Sequence, residues 1–121
     1  MNDYHIYIPP VAGTYGTSQE LYYEEVVRIV TMPVGLAGSQ AGCRVAPTAN
    51  LQVQLLHNGT VVGTVNFTAG STVPTITFTN AITFYTSETI GGADSFQVLA
   101  PATVDKSFAG FWMVILASRL S

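Results

Sequence analysis

The sequence predicts an all-β chain: an antiparallel β-sandwich, jelly-roll-like, of about seven strands, behind an extended N-terminal arm. Three observations carry that expectation. Residues 51–67, LQVQLLHNGTVVGTVNF, read as two period-two runs flanking Asn58-Gly59, which is the pattern of a β-hairpin. Further short alternating runs follow with turn residues every 8 to 12 positions or so, the spacing of a sandwich. Apolar residues make up 48% of the chain and charged residues only 9%, against roughly 25% charged in an ordinary soluble domain. Thr, Ser, Gln and Asn fill the difference, which suits the solvent faces of strands. A chain of 121 residues is one folding unit, divided here into an arm, 1–20, and a sandwich domain, 21–121.

The arm opens with an alternating piece, 4–8, stopped by Pro9-Pro10, and continues through a Gly-, Thr- and Ser-rich stretch without periodicity. Tyr4, Ile6, Ile8 and Tyr15 give it apolar surface, so the arm is expected to anchor on neighbouring molecules and to matter for assembly, not for folding. Residues 21–32, LYYEEVVRIVTM, are dominated by β-branched and aromatic residues and stopped by Pro33. They predict one strand with Tyr23, Val27 and Ile29 facing in. An irregular connection, PVGLAGSQAG, leads through an extended piece at 43–46 to the central hairpin. In the hairpin, Leu51, Val53, Leu55, Val61, Gly63, Val65 and Phe67 should face the core, and Gln52, Gln54, Thr64 and Asn66 the outside. Residues 73–79 alternate Ile76 and Phe78 with threonines, 81–85 add a short strand or bend, and Phe96, Val98 and Ala100 alternate inward in the run ended by Pro101. The final stretch, FAGFWMVILA at 108–117, is apolar on both parities. Phe111, Met113 and Ile115 supply a core face, while Trp112, Val114 and Leu116 form a second apolar row that predicts a subunit contact.

Composition also narrows the function. The formal net charge is −3, with Arg28, Arg44, Lys106 and Arg119 as isolated cations, so no cluster exists to neutralise a phosphate backbone and nucleic acid is not an expected partner. No apolar run approaches the ~20 residues of a membrane-spanning helix, and the first residues carry no signal-peptide pattern. The expectation is a protein made in the cytoplasm, with no membrane partner. Cys43 is the only cysteine, which excludes an internal disulfide and a thiolate zinc set.

No residue pattern specifies catalysis or a cofactor. His5 and His57 lack carboxylates at ligand spacing, and Ser39 lacks the strand-turn-helix context of a nucleophile elbow. Cys43 reads as a small buried apolar residue. Glu24 and Glu25 point to opposite faces of a strand, which precludes a convergent carboxylate pair. Glu88, Asp94 and Asp105 fall in separate turns without a calcium-loop spacing. Asn58-Gly59-Thr60 fits a glycosylation acceptor, but turn chemistry already accounts for it.

Several segments resemble a β-sandwich module of tailed-phage and phage-like virion proteins. They are MPVGLAGS at 32–39, APTA at 46–49, NGTVVGT at 58–64, FTAGST at 67–72 and VLAPAT at 98–103 with Asp105; the resemblance spans about residues 22–119. It implies a sandwich fold and a place on the virion, in head spikes, fibres, decoration proteins or tail surface components. Two departures stand out: Gly91-Gly92-Ala93-Asp94 replaces a shorter Gly-Asp turn, and the module stands nearly alone behind its arm. The resulting expectation is a non-enzymatic bacteriophage virion protein, foremost a head-surface decoration or cement protein. It would contact other capsid or tail proteins and form a homo-oligomer, first of all a trimer. The alternatives are a tail or baseplate component, and a carbohydrate-binding host-recognition module using Tyr22, Tyr85 or Trp112, with a glycan as partner.

The hairpin turn supplies the first prediction. Asn58-Gly59 suits a primed turn that needs positive φ, so Gly59→Val should destabilise the fold by roughly 1 kcal/mol or more, and Asn66→Val on the outer face should do little. Thermal denaturation decides it: equal melting temperatures for Gly59→Val and wild type would count against a primed turn.

Overall fold

A computed structural model of the chain describes residues 3–10, 15–26, 28–86, 93–103 and 105–119. Their backbone forms ten strands: β1 (Asp3–Ile8), β2 (Glu20–Glu25), β3 (Val30–Met32), β4 (Gln40–Gly42), β5 (Leu51–His57), β6 (Thr60–Phe67), β7 (Thr75–Thr77), β8 (Ile82–Phe84), β9 (Ser95–Leu99) and β10 (Trp112–Arg119). A single 3₁₀ turn, Val34–Leu36, is the only helical element among the described residues. Two antiparallel sheets pack face to face. The first runs β1-β10-β3-β8, with β4 also on β10, and the second runs β2-β9-β5-β6-β7. The fold is thus an antiparallel β-sandwich. The described residues form ten strands where about seven were expected, and β5, β6 and β7 follow one another within one sheet, where a jelly roll would alternate between sheets.

The interior follows from period-two alternation. Val53, Leu55, Val65, Phe67, Phe96, Val98, Met113 and Ile115 are buried, each at 2% exposure or less. Phe67 lies between Phe108 and Phe111, with ring centroids 5.1 and 6.1 Å away. At the other end Phe84 meets Phe96 edge-on at 5.9 Å. Aromatic pairs in such tilted and T-shaped arrangements add to the stabilisation from burial itself.

The hairpin forms as expected. Asn58 and Gly59 take φ of 51° and 83°, and a Cβ at Gly59 would meet nothing within 4 Å, so the cost of a larger residue there is conformational. One residue departs from the pattern. A register shift opposes Leu55 to Gly63 but Leu56 to Val61, leaving Val62 as an extra residue; a bulge of this kind inverts parity. Val61, expected inside, is 46% exposed. Beyond the bulge, a Cβ on Gly63 would stand 2.6 Å from the Phe78 ring, so the missing side chain is what lets Phe78 close over β6.

Residues 21–32 do not form one strand. The chain crosses from β2 in the second sheet to β3 in the first. A register shift between Glu20 and Tyr22 sends Tyr22 toward Phe96, with centroids 6.3 Å apart, and leaves Tyr23, expected inside, 51% exposed. Ile29 is half-buried, and Val27 lies outside the described residues. The 38–42 stretch, expected to be irregular, contains β4, because Gln40–Gly42 find partners along the first half of β10.

The arm requires the largest correction. Residues 3–8 are β1, paired with β10 along their whole length from Asp3↔Ser118 to Ile8↔Met113. Ile6 and Ile8 are 1% exposed, and Tyr15 is buried with its ring edge 5.5 Å from Phe108. Its hydroxyl accepts the Phe111 amide at 2.7 Å. Tyr4 donates to Glu24 of β2 at 2.6 Å. All four residues expected to anchor on neighbours therefore close on the chain's own core, and much of the segment belongs to the sandwich. The reason is that β10 has two edges to pair and an apolar inner face to cover. Truncating a buried Ile to Ala removes transfer energy and leaves a cavity, so Ile6→Ala should cost about 2–5 kcal/mol. An unchanged denaturation midpoint would restore the detachable arm.

Candidate functional site

The connection from β9 to β10 folds over the approach to β5, and Asp105 is the residue that ties the two together. Its Oδ2 accepts the Thr48 amide, the Thr48 hydroxyl and the Ala49 amide at 2.9, 3.0 and 3.2 Å. Its Oδ1 accepts the amides of Ser107 and Phe108 at 2.9 and 3.2 Å. Desolvation alone would raise the Asp105 pKa; the donors from Ser107, Thr48 and Phe108 outweigh it and hold the carboxyl below its ordinary value. Between this loop and β5 lies an open cleft of about 650 Å³. Gln52 and Gln54 of β5 line one wall, and Thr103 and Lys106 of the loop the other.

A second polar cluster sits at the opposite end of β9. His57 Nε2 lies 2.9 Å from Asp94 Oδ2, and the imidazole stacks edge-on over Phe84 at 4.4 Å. Asp94 also accepts the Asn58 side-chain amide at 3.0 Å and the Tyr85 backbone amide at 3.0 Å. Burial works to raise its pKa, but Asn58, His57 and the Tyr85 amide together lower it. Asn58 Oδ1 in turn accepts the Ser95 amide at 2.8 Å. The hairpin tip is therefore bolted to the start of β9.

No residue spacing places a carboxylate near His57. Asp94 reaches it from 37 positions away, through the β5–β9 pairing that sets His57 opposite Phe96. Knowing that β5 and β9 are neighbours would have revealed the pair. It orients an imidazole, but the nucleophiles weighed from the sequence are engaged elsewhere. Ser39 Oγ accepts the Leu116 amide at 2.9 Å, and Cys43 is buried, with its thiol pKa raised by desolvation. Asp94 and Asp105 stand at opposite ends of β9 and share no ligand space; Glu88 lies outside the described residues. No group of three His, Cys, Asp or Glu converges among the described residues.

No family model, no curated protein and no solved structure matches the chain.

Trp112, Val114 and Leu116 lie on the outer face of β10, as expected, but they are half-buried rather than bare. The chain's own 38–42 segment covers part of them: a Cβ on Gly42 would stand 2.9 Å from the Trp112 ring, and one on Gly38 2.8 Å from Leu116 Cδ2. Tyr7, opposite Val114 on β1, extends the apolar strip and is 57% exposed. His5, opposite Leu116, is exposed. Tyr22 points to Glu24, whose carboxylate accepts both the Tyr22 and Tyr4 hydroxyls. Burial and the neighbouring carboxylate push Tyr4 up to about 12 and raise Tyr22 as well, with Arg28 partly offsetting the effect at Tyr4. Tyr22, Tyr85 and Trp112, the aromatic candidates for a sugar platform, occupy different places and none lines the cleft.

The two lowered carboxylates give a pH prediction. A carboxyl whose folded-state pKa lies below its unfolded value stabilises the fold above the unfolded pKa, and that contribution is lost as the pH falls through the folded pKa. Melting temperature should therefore drop as the pH falls into and below the ordinary aspartate range. Asp105→Asn should melt lower than wild type at neutral pH, with the gap closing toward acid. Parallel melting curves across that range would show that the Asp105 carboxylate contributes nothing.

Proposed function

We propose that this chain is a non-enzymatic structural protein of a bacteriophage virion, acting on the head surface as a decoration or cement protein in homo-oligomeric form. The observation that carries the reading is the outer face of the first sheet. Trp112, Val114 and Leu116 run along its central strand, and Tyr7 continues the strip onto β1. Thr31 and Thr83, hydrogen-bonded to each other at 2.9 Å, and Gln40 border it without formal charge. An uncharged apolar strip on a rigid sheet favours burial against another protein surface. The resemblance of its turn and strand segments to a phage module supports the virion setting, and a trimer is the first assembly to test.

Two measurements test this reading. Protein identification on gradient-purified particles, followed by a density map, should place the chain on heads; absence from particles, or density confined to the tail or baseplate, would overturn the head assignment. In solution, Tyr7→Asp and Leu116→Asp should reduce the assembly size by light scattering while keeping a β-type circular dichroism spectrum. A wild-type protein that is already monomeric at micromolar concentration and binds no apolar dye would remove the self-contact.

A further inference from the structure

The cleft beside Asp105 continues into a shallower depression of about 450 Å³ that reaches Asn66 and Thr75. The two share Asn50, Leu51 and Gln52, so they form one groove running across the outer side of the second sheet. The side-chain amides of Gln52 and Gln54 make no hydrogen bond among the described residues, and both line the groove. Each offers two donors and a carbonyl acceptor. Asn50 uses its Oδ1 on the Ala69 amide at 2.9 Å, which leaves its NH₂ for a ligand. The one carboxylate, Asp105, is occupied by five donors, and Lys106 beside it brings the local formal charge to zero.

We propose that this groove binds a neutral oligosaccharide, several sugar units long, through Gln52, Gln54 and Asn50. The inference goes beyond the structural role proposed above and does not depend on it. Vicinal sugar hydroxyls both donate and accept, which matches side-chain amides; Leu51 and Ala102 supply apolar surface for the C–H faces of the rings. A phosphorylated ligand would need more than one cation. An extended peptide would need a free strand edge, yet β5 is paired on both sides, by β6 and by β9, so strand addition is closed here. The volume falls in the range of small-molecule sites. Without an aromatic platform the affinity should be weak, with dissociation constants of about 1 mM.

The test is an amide-resolved NMR titration of the full chain with neutral di-, tri- and tetrasaccharides built on glucose, galactose, mannose and N-acetylglucosamine. At least one series should shift resonances confined to 48–54, 66–75 and 101–107, with affinity rising with chain length. Gln52→Ala and Gln54→Ala, on an outer face where folding does not depend on them, should each weaken binding about tenfold or more, equivalent to ~1.4 kcal/mol. Tyr85→Ser should leave it unchanged. Three results would overturn the proposal: no shifts with any series, shifts mapping to Tyr85 or Trp112, or affinity indifferent to both glutamines. Binding confined to sulfated or uronic-acid sugars and lost in Lys106→Gln would overturn the neutral assignment. None of these outcomes bears on whether the chain is found on particles.

Discussion

Strand β10 is the constraint on which the rest of the molecule depends. Its composition is apolar on both faces, so it must lie at the centre of a sheet, and every other strand of the first sheet except β8 pairs with it directly. β1 takes one edge from Met113 to Ser118. The other edge is divided between β4, at Trp112–Val114, and β3, at Ser118–Arg119. Between them the amide of Leu116 would lack a partner, and Ser39 Oγ fills the gap. A buried or half-buried amide left unpaired costs as much as a lost hydrogen bond. The short 34–39 connection can therefore be understood as the piece that lets two small strands share one long edge.

How much of this was legible in the sequence depends on how local each feature is. The central hairpin was readable because Asn58-Gly59 and the flanking alternation are contiguous signals, and Phe96, Val98, Met113 and Ile115 fell on the core face by the same rule. What failed did so where one residue changes parity. The Val62 bulge turned Val61 outward, and the shift at Glu20/Tyr22 exchanged the roles of Tyr22 and Tyr23. The N-terminal strand reads as a detachable arm because a short alternating run looks the same whether its partner lies in another molecule or, as here, at the far end of the same chain. The candidate site was hardly legible at all. Asp105 reads as a loop aspartate, and the donors that meet it come from 48–49 and 107–108, a convergence that no spacing announces.

The two outer faces of the sandwich differ in chemistry. On the first sheet they carry Trp112, Val114, Leu116 and Tyr7; on the second they carry amides and hydroxyls, with Thr64 donating to Asn66 at 3.0 Å and Asn66 to Thr77 at 3.0 Å, and the carboxylates of Glu20 and Glu25 along β2. A molecule so divided can be held by one face while the other stays hydrated, and neither requirement compromises the shared core.

Cys43 follows β4 at the joint where its amide donates to the Thr72 carbonyl at 3.3 Å, and it is 6% exposed with a thiol that burial makes harder to ionise. Because it is the sole thiol of the chain, an alkylating reagent has one target, and that target becomes reactive only when the joint opens. The labelling rate is then a clock for local opening at the seam between the sheets, readable on the native protein without any added probe.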